Sequence, residues 1–273
     1  MKGQIGIVFL FIILGVIAYL FWSGLIQFPG APTGRVKKGE GVTLSLDYEL
    51  EVESQKTLTL KVNVSNDGDY DANDIFVKLY GLSGDWKVNE EPFPGTVIQT
   101  IEELKKGKSK LIRWKLRAPS ELVEFTYPFT VQIEYPYLTT YKALIKVVSE
   151  TYAEEEKEKG EIVEEAVTAG PLGVQMIAPT EGFISTDTII PVEIRVKNIG
   201  GGILSYAKIE ESRNIICPGI NFREDLEFKK EVTVECDLKV GSVEKYINLP
   251  VNLTLSYTYF LESEGEIKVL PKD

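Results

Sequence analysis

The two halves of this 273-residue chain repeat each other, and this repeat constrains the fold more than any other feature of the sequence. Near the end of each half, EFTYPFTVQIEYPYLTTYKALIKVV aligns with YINLPVNLTLSYTYFLESEGEIKVL, so that Tyr135 and Tyr257 lie 122 positions apart. Near the start, Asn66 and Gly68 align with Asn198 and Gly200, 132 positions further on. The chain therefore contains two copies of one structural design, and the second copy is shorter by about ten residues.

Short runs of alternating apolar and polar residues, rich in Val, Ile, Thr and Tyr, fill both halves. In Leu58-Thr-Leu-Lys-Val-Asn-Val-Ser65 the leucines and valines share one face, as in a half-buried strand. Further strands are predicted at residues 75–80, 109–116, 128–135, 143–148, 190–196, 231–238, 249–257 and 266–270. This spacing predicts an all-β fold made of sandwiches.

We expect four regions along the chain. Residues 1–34 form an N-terminal anchor, 35–148 a first sandwich, 149–171 an acidic linker and 172–273 a second sandwich. The linker is predicted from its Glu-rich composition, which leaves nothing to bury on either face. A short charged helix over residues 154–167 is an alternative there, although Gly160 interrupts it.

The anchor is predicted from an uncharged apolar run at residues 5–26, long enough for a helix to span a bilayer. A cleaved secretory signal is the alternative. The run is followed by the positively charged residues Arg35, Lys37 and Lys38. A simple count of positive charges on the two sides of the run predicts that the body of the chain lies on the cytoplasmic side. Because large downstream domains often translocate regardless of such charges, we expect a single-pass membrane protein with an extracellular body.

The first residues, Met1-Lys2-Gly3-Gln4, resemble the class III signal of archaeal type IV pilin-like proteins. The resemblance implies processing between Gly3 and Gln4. The family usually has Glu five positions after the cut, where this chain has Val8. An uncleaved signal anchor is therefore the alternative.

The repeat also predicts a disulfide. Trp114 aligns with Cys236 at an offset of 122, and Trp86 aligns with Cys217 at an offset of 131. We expect buried tryptophans to hold two elements together in the first half. In the second half we expect a disulfide between Cys217 and Cys236 to join the equivalent two elements. Two buried free thiols are the alternative.

The segment KVNVSNDGDYDANDIFVKLYGLSGDW resembles the CARDB-type immunoglobulin-like (Ig-like) domains of archaeal cell-surface proteins. The shared features are a strand ending in Asn66, a turn at Gly68, the small residue Ala72 and a second strand at residues 75–79. The resemblance implies two tandem Ig-like domains that serve adhesion, display or assembly outside the cell.

Two other patterns have a functional and a structural interpretation. Asp67, Asp69, Asp71 and Asp74 are close enough in sequence to suggest a calcium site, but Ala72 and Lys78 stand where an EF-hand loop needs Gly and Glu. A polar hairpin loop is the preferred interpretation. Asn63 and Asn252 begin glycosylation sequons, and alternation directs both side chains outward.

Composition narrows the function. The chain has no histidine, which removes the commonest general base and zinc ligand, and its net charge of −11 opposes binding to nucleic acids. We therefore expect no catalytic residues and no cofactor. The expected function is adhesion, spacing or assembly at the cell surface, with other surface proteins or copies of itself as partners. A pilin-like filament subunit and an accessory subunit of a membrane complex remain alternatives.

Overall fold

The alternating runs form strands throughout the part of the chain that the computed structural model describes, residues 41–186, 188–210, 214–217 and 231–272. The strands of the first half are β1 (Val42–Asp47), β2 (Glu51–Glu53), β3 (Thr57–Asn66), β4 (Ala72–Tyr80), β5 (Lys87–Val88), β6 (Glu91–Pro92), β7 (Thr96–Leu104), β8 (Ser109–Arg117) and β9 (Phe125–Ser149). Helix α1 (Glu150–Glu156) follows, and then β10 (Glu161–Val167), β11 (Leu172–Ile177), β12 (Ile184–Ser185), β13 (Ile189–Asn198), β14 (Ile203–Glu210), β15 (Ile215–Ile216), β16 (Glu231–Lys239) and β17 (Tyr246–Leu270). The prediction of a mostly β, sandwich-like fold is confirmed.

In the described part of the chain the strands form three sheets. One sheet has the order β1-β3-β8-β5-β6 and belongs to the first half, and another has the order β11-β13-β16-β15 and belongs to the second. The third, which we call the shared sheet, has the order β14-β17-β9-β4-β7, with β10 and β12 paired to β9 and β2 paired to β17. The shared sheet therefore takes strands from both halves.

Two 25-residue strands, β9 and β17, join the halves. They pair antiparallel without a register shift, from Tyr246 opposite Val148 to Val269 opposite Phe125. At about 3.4 Å per residue this ladder is about 80 Å long. The sequence predicts two separate strands in each of these regions, and the structure makes each pair of segments one continuous strand.

The pairing register explains the repeat in three dimensions. Pro136 lies opposite Thr258, and these two residues are also 122 positions apart, so each is the repeat equivalent of the other. An approximate twofold axis therefore passes through this pair and relates the two halves. On either side of it Tyr135 lies opposite Tyr259 and Tyr137 lies opposite Tyr257.

The predicted linker at residues 149–171 has a different structure from the one expected. Ser149 caps α1 by accepting a hydrogen bond from the Tyr152 amide at 3.3 Å, and Lys157 ends the helix in a left-handed conformation. The next residues form β10, which pairs with β9, so the helix is shorter and earlier than the alternative over residues 154–167. The acidic side chains of this strand are exposed to solvent, which is why its composition resembles that of a linker.

The core is continuous across both halves. Alternate residues of β9 and β17 are buried, and they form one apolar cluster with the inward side chains of the two smaller sheets. The largest fully buried side chains of this cluster include Trp86, Trp114, Tyr135, Tyr141 and Tyr259. Since the central strands and the core are common to both halves, the described residues form one compact unit.

Candidate interaction surface

The loop between β3 and β4 is held by an asparagine inside the fold. Asn66 is fully buried, its side-chain amide donates to the Tyr70 carbonyl at 2.8 Å, and its oxygen accepts from the Gly68 amide at 3.2 Å. The Tyr137 hydroxyl accepts from the Tyr70 amide at 3.2 Å. A Cβ atom at Gly68 would collide with that hydroxyl, so the close approach requires glycine.

The second half repeats this network with equivalent residues. Asn198 donates to the Gly202 carbonyl at 2.9 Å and accepts from the Gly200 amide at 3.2 Å. The Tyr259 hydroxyl accepts from the Gly202 amide at 2.8 Å, and a Cβ atom at Gly200 would collide with it. The repeated Asn, Gly and Tyr positions of the sequence therefore form one hydrogen-bond design used twice.

The four central tyrosines have a structural role. Tyr135 accepts from the Val42 amide at 3.2 Å, and Tyr257 shares a hydrogen bond of 2.8 Å with the Thr139 hydroxyl. Burial raises the pKa of Tyr135 and of Tyr257 far above the ordinary value for a tyrosine. These hydroxyls remain protonated at neutral pH, and their hydrogen bonds tie the loops and strands to the centre of the shared sheet.

The predicted calcium ligands are Asp67, Asp69, Asp71 and Asp74. The Asp69 carboxylate accepts from the Lys106 ammonium at 2.5 Å and from the Ala169 amide at 2.6 Å, and Asp71 accepts from the Lys106 amide at 2.8 Å. Asp67 accepts from the Thr43 hydroxyl at 3.0 Å. Among the described residues no acidic or cysteine side chains cluster as a metal site would require. Three of these carboxylates instead connect their loop to neighbouring segments.

The predicted disulfide is confirmed. Cys217 follows β15 and bonds to Cys236 in the adjacent strand β16, with Cα atoms 4.3 Å apart. Both cysteines of the chain are used in this bond. The bridge therefore links neighbouring strands of the second half.

The repeat alignment is right for one tryptophan and shifted for the other. Trp114 lies opposite Leu60, and Cys236 lies opposite Val192, so Trp114 and Cys236 occupy equivalent places. In β5, however, Lys87 lies opposite Arg117 and Val88 lies opposite Leu116. Trp86, which precedes Lys87, therefore lies past Arg117 at the end of β8 and not beside Trp114. Both tryptophans are fully buried.

The two sequons lie in strands. Asn63 is half-buried and donates to the Ser65 hydroxyl at 3.2 Å, while Asn252 is exposed between the buried Val251 and Leu253. Glycosylation at Asn63 and Asn252 stays a prediction.

The outward side of the shared sheet carries an unexpected set of apolar side chains. Phe76 and Leu138 are each 39% exposed, Ile203 is 51% exposed and Ile98 is 54% exposed. Phe260 lies opposite Ile203 and is half-buried. We call this side of the sheet the outer face. The sequence signal for this face is an apolar residue at a strand position whose side chain points away from the core. Such a position can be recognised only after the core-facing positions of the strand have been assigned.

Several charged groups on the outer face have partners within the sheet. Lys78 forms an ion pair with Glu134 at 2.6 Å. Glu134 lies directly opposite Phe76 in the adjacent strand β9. Glu262 accepts hydrogen bonds from Gln132 at 2.6 Å and from Tyr80 at 2.9 Å. Because these polar groups have partners within the sheet, the apolar side chains between them are available for contact with another molecule.

The membrane and processing predictions concern residues 5–26, Gly3 and Gln4, which lie outside the described residues. Within the described part of the chain, no helix has the length and apolar character needed to cross a membrane.

Comparison with known proteins assigns no family. No family model matches the chain, and no curated protein matches it. Among solved structures, the chain is similar to a trypsin-activated alpha-2-macroglobulin from Escherichia coli, with 10% identity and a TM-score of 0.21. The match covers 84% of this chain and 18% of the macroglobulin.

Proposed function

We propose that this chain is a non-enzymatic, membrane-anchored cell-surface protein. In this proposal residues 5–26 are the transmembrane anchor, and the two Ig-like halves form a rigid element for adhesion, spacing or assembly. The observation that carries the proposal is the uninterrupted pairing of β9 with β17. A module that holds partners at a set distance from a membrane needs such stiffness.

The two halves are stiffly joined because they share one core. Two domains joined by a flexible linker move independently, because few contacts cross between them. Here the central strands extend through both halves, and the four tyrosines at the approximate axis lie in the common core. Bending between the halves would break ladder hydrogen bonds and expose buried aromatic rings, so the halves act as one body.

The disulfide supports an extracellular place for this body. Disulfides persist in oxidising compartments and are rare in the cytosol, with intracellular proteins of hyperthermophiles as an exception. Cys217 and Cys236 are bonded in the second half, and the absence of histidine from the sequence removes the most usual catalytic base. The disulfide favours a place outside the cell, and the lack of histidine favours a structural role.

The test uses a single introduced thiol on intact cells. Because both native cysteines are bonded, Leu111→Cys, at an exposed position of β8, gives one free thiol. We expect a membrane-impermeant maleimide to label this variant equally before and after lysis. Labelling only after lysis would refute the extracellular orientation. The wild-type chain, which has leucine at this position and no free cysteine, is the control that the maleimide should not label.

Intact mass separates the two surface alternatives. A chain that starts at Met1 supports a signal anchor, whereas a chain that starts at Gln4, together with sheared fibres, supports the pilin-like subunit. Reduction should add the mass of two hydrogens, since Cys217 and Cys236 are bonded.

A further inference from the structure

Strand β7 lies at one edge of the shared sheet as far as the described residues show, and β14 lies at the opposite edge. Strand β7 pairs with β4 on one side, and no strand of the described residues pairs with its other side. At the end of β7, the Asn66 side-chain amide donates to the Leu104 carbonyl at 2.8 Å. The nine residues of β7 leave backbone donors and acceptors directed outward. An edge of this kind is a template for pairing with another strand.

Proteins usually protect such an edge with charged residues, proline or a bulge. The run Thr-Val-Ile-Gln-Thr-Ile at residues 96–101 has neither a charge nor a proline. By contrast, the exposed strand β10 has three glutamates in seven residues. The β7 edge is therefore unprotected along most of its length.

The side chains beside this edge are also suited to a contact. Ile98 is 54% exposed on the outer face, and it lies opposite Lys78, so it is a diagonal neighbour of Phe76. Phe76 is 39% exposed on the same face. An added strand at β7 would cover Ile98 and extend the apolar surface that begins at Phe76.

We propose that β7 is a self-pairing edge, through which two copies of this chain join as an antiparallel dimer with Ile98 opposite Ile98. This inference goes beyond the proposed function, since it concerns a partner for one edge and holds wherever the chain resides. The result is one continuous sheet across two copies, related by a twofold axis.

The charge distribution favours a second copy in this orientation. With Ile98 opposite Ile98, Thr96 lies opposite Thr100 of the other copy, and residues 96–100 form the new ladder. Glu102 and Glu103 then lie beyond this ladder, with no β7 residue of the other copy opposite them. No two carboxylates face each other across the new ladder, although the chain as a whole has a net charge of −11.

The size of the contact sets its strength. In this register only residues 96–100 of β7 pair between the copies, and so short a ladder buries less area than a permanent interface, so the dimer should dissociate on dilution. The test must therefore detect a weak complex as well as a stable one.

Cysteine crosslinking detects a weak complex. Directly opposed residues in an antiparallel ladder have Cα atoms about 4.5 to 5.5 Å apart, within the range that a disulfide accepts. We expect Ile98→Cys in the full chain to form a covalent dimer under mild oxidation. Ile203→Cys is the matched control, because Ile203 is 51% exposed and lies on the outer face in β14.

Sedimentation of the full chain in a non-ionic detergent supplies the second measurement. We expect the protein mass of the wild type to double with rising concentration, and Ile98→Glu to abolish the doubling by placing two carboxylates opposite each other. Circular dichroism identical to that of the wild type shows that the variant is folded.

Three results would overturn the proposal. They are a mass that stays monomeric with no crosslinking of Ile98→Cys, crosslinking of Ile203→Cys at the same rate as Ile98→Cys, and a doubling that survives Ile98→Glu. The last result would locate self-association elsewhere, for example in the apolar segment at residues 5–26.

Discussion

Replacing Asn66 should destabilise the protein much more than replacing its repeat equivalent, Asn198. Asn66 is fully buried and makes three hydrogen bonds, to the carbonyls of Tyr70 and Leu104 at 2.8 Å each and from the Gly68 amide at 3.2 Å. Asn66→Ala would remove a hydrogen bond from each of these backbone groups, and the bonds to the Leu104 carbonyl and from the Gly68 amide are buried. At about 1 to 2 kcal/mol for each group, the expected cost is about 3 to 5 kcal/mol.

Asn198 has the same design in a more accessible place. It donates to the Gly202 carbonyl and accepts from the Gly200 amide and from the Tyr259 hydroxyl at 3.0 Å, but it is half-buried, so water can replace part of what Asn198→Ala removes. The expected cost is about 1 to 2 kcal/mol. Asn63→Ala is the control, because Asn63 makes one hydrogen bond of 3.2 Å to Ser65, and we expect a change within about 0.5 kcal/mol.

The assay is guanidinium unfolding of the full chain in mild detergent, followed by tryptophan fluorescence and by far-ultraviolet circular dichroism. Fluorescence reports mainly the first half, through Trp86 and Trp114, and circular dichroism reports strands in both halves. Coincident transitions would show that the halves unfold together, as their common core requires. If Asn66→Ala and Asn198→Ala lowered the free energy of unfolding equally, the argument from burial would be wrong.

Two more predictions concern the disulfide and alkaline pH. Cys217 and Cys236 are separated by 19 residues, so reduction, or replacing both with Ala, should lower the free energy of unfolding by about 3 kcal/mol, and an unchanged unfolding midpoint after reduction verified by mass would contradict this. Burial and the hydrogen bond to Glu121 raise the pKa of Tyr127 to about 12. An unfolded tyrosine ionises near pH 10, so between about pH 10 and 12 only the unfolded state loses this proton, and stability falls as pH rises. Unfolding midpoints measured across this range should decline less steeply in Tyr127→Phe, whereas identical slopes would refute the assignment.

Local pattern was sufficient to predict the class of fold and several of its particular residues. The alternation of Leu58 to Ser65 predicts a half-buried strand, and these residues lie within β3. The disulfide is predicted from the alignment of Trp114 with Cys236 and of Trp86 with Cys217, and the first of these alignments matches the structure. Such features depend on which side of a strand each residue occupies, and the period of two in the sequence records that directly.

Parts of the candidate surface could not be predicted in this way. Strand β7 has a buried Ile101 and Leu104 but exposed polar neighbours, and only its pairing with β4 identifies it as an edge. Strand β10 has an acidic composition typical of a linker, and its pairing with β9 determines its structure. Edge positions depend on which strands are neighbours, and neighbours in this sheet are far apart in sequence.

The sequence by itself determined that the chain is a repeat of β structure, because side-chain alternation and a constant offset are properties of the order of residues. Tertiary structure alone decided how the two copies combine. An offset of 122 is equally compatible with two separate sandwiches and with two halves that share their central strands. The register that places Pro136 opposite Thr258 distinguishes these arrangements, since it results from hydrogen bonds between β9 and β17 and from burial of the four tyrosines around that pair.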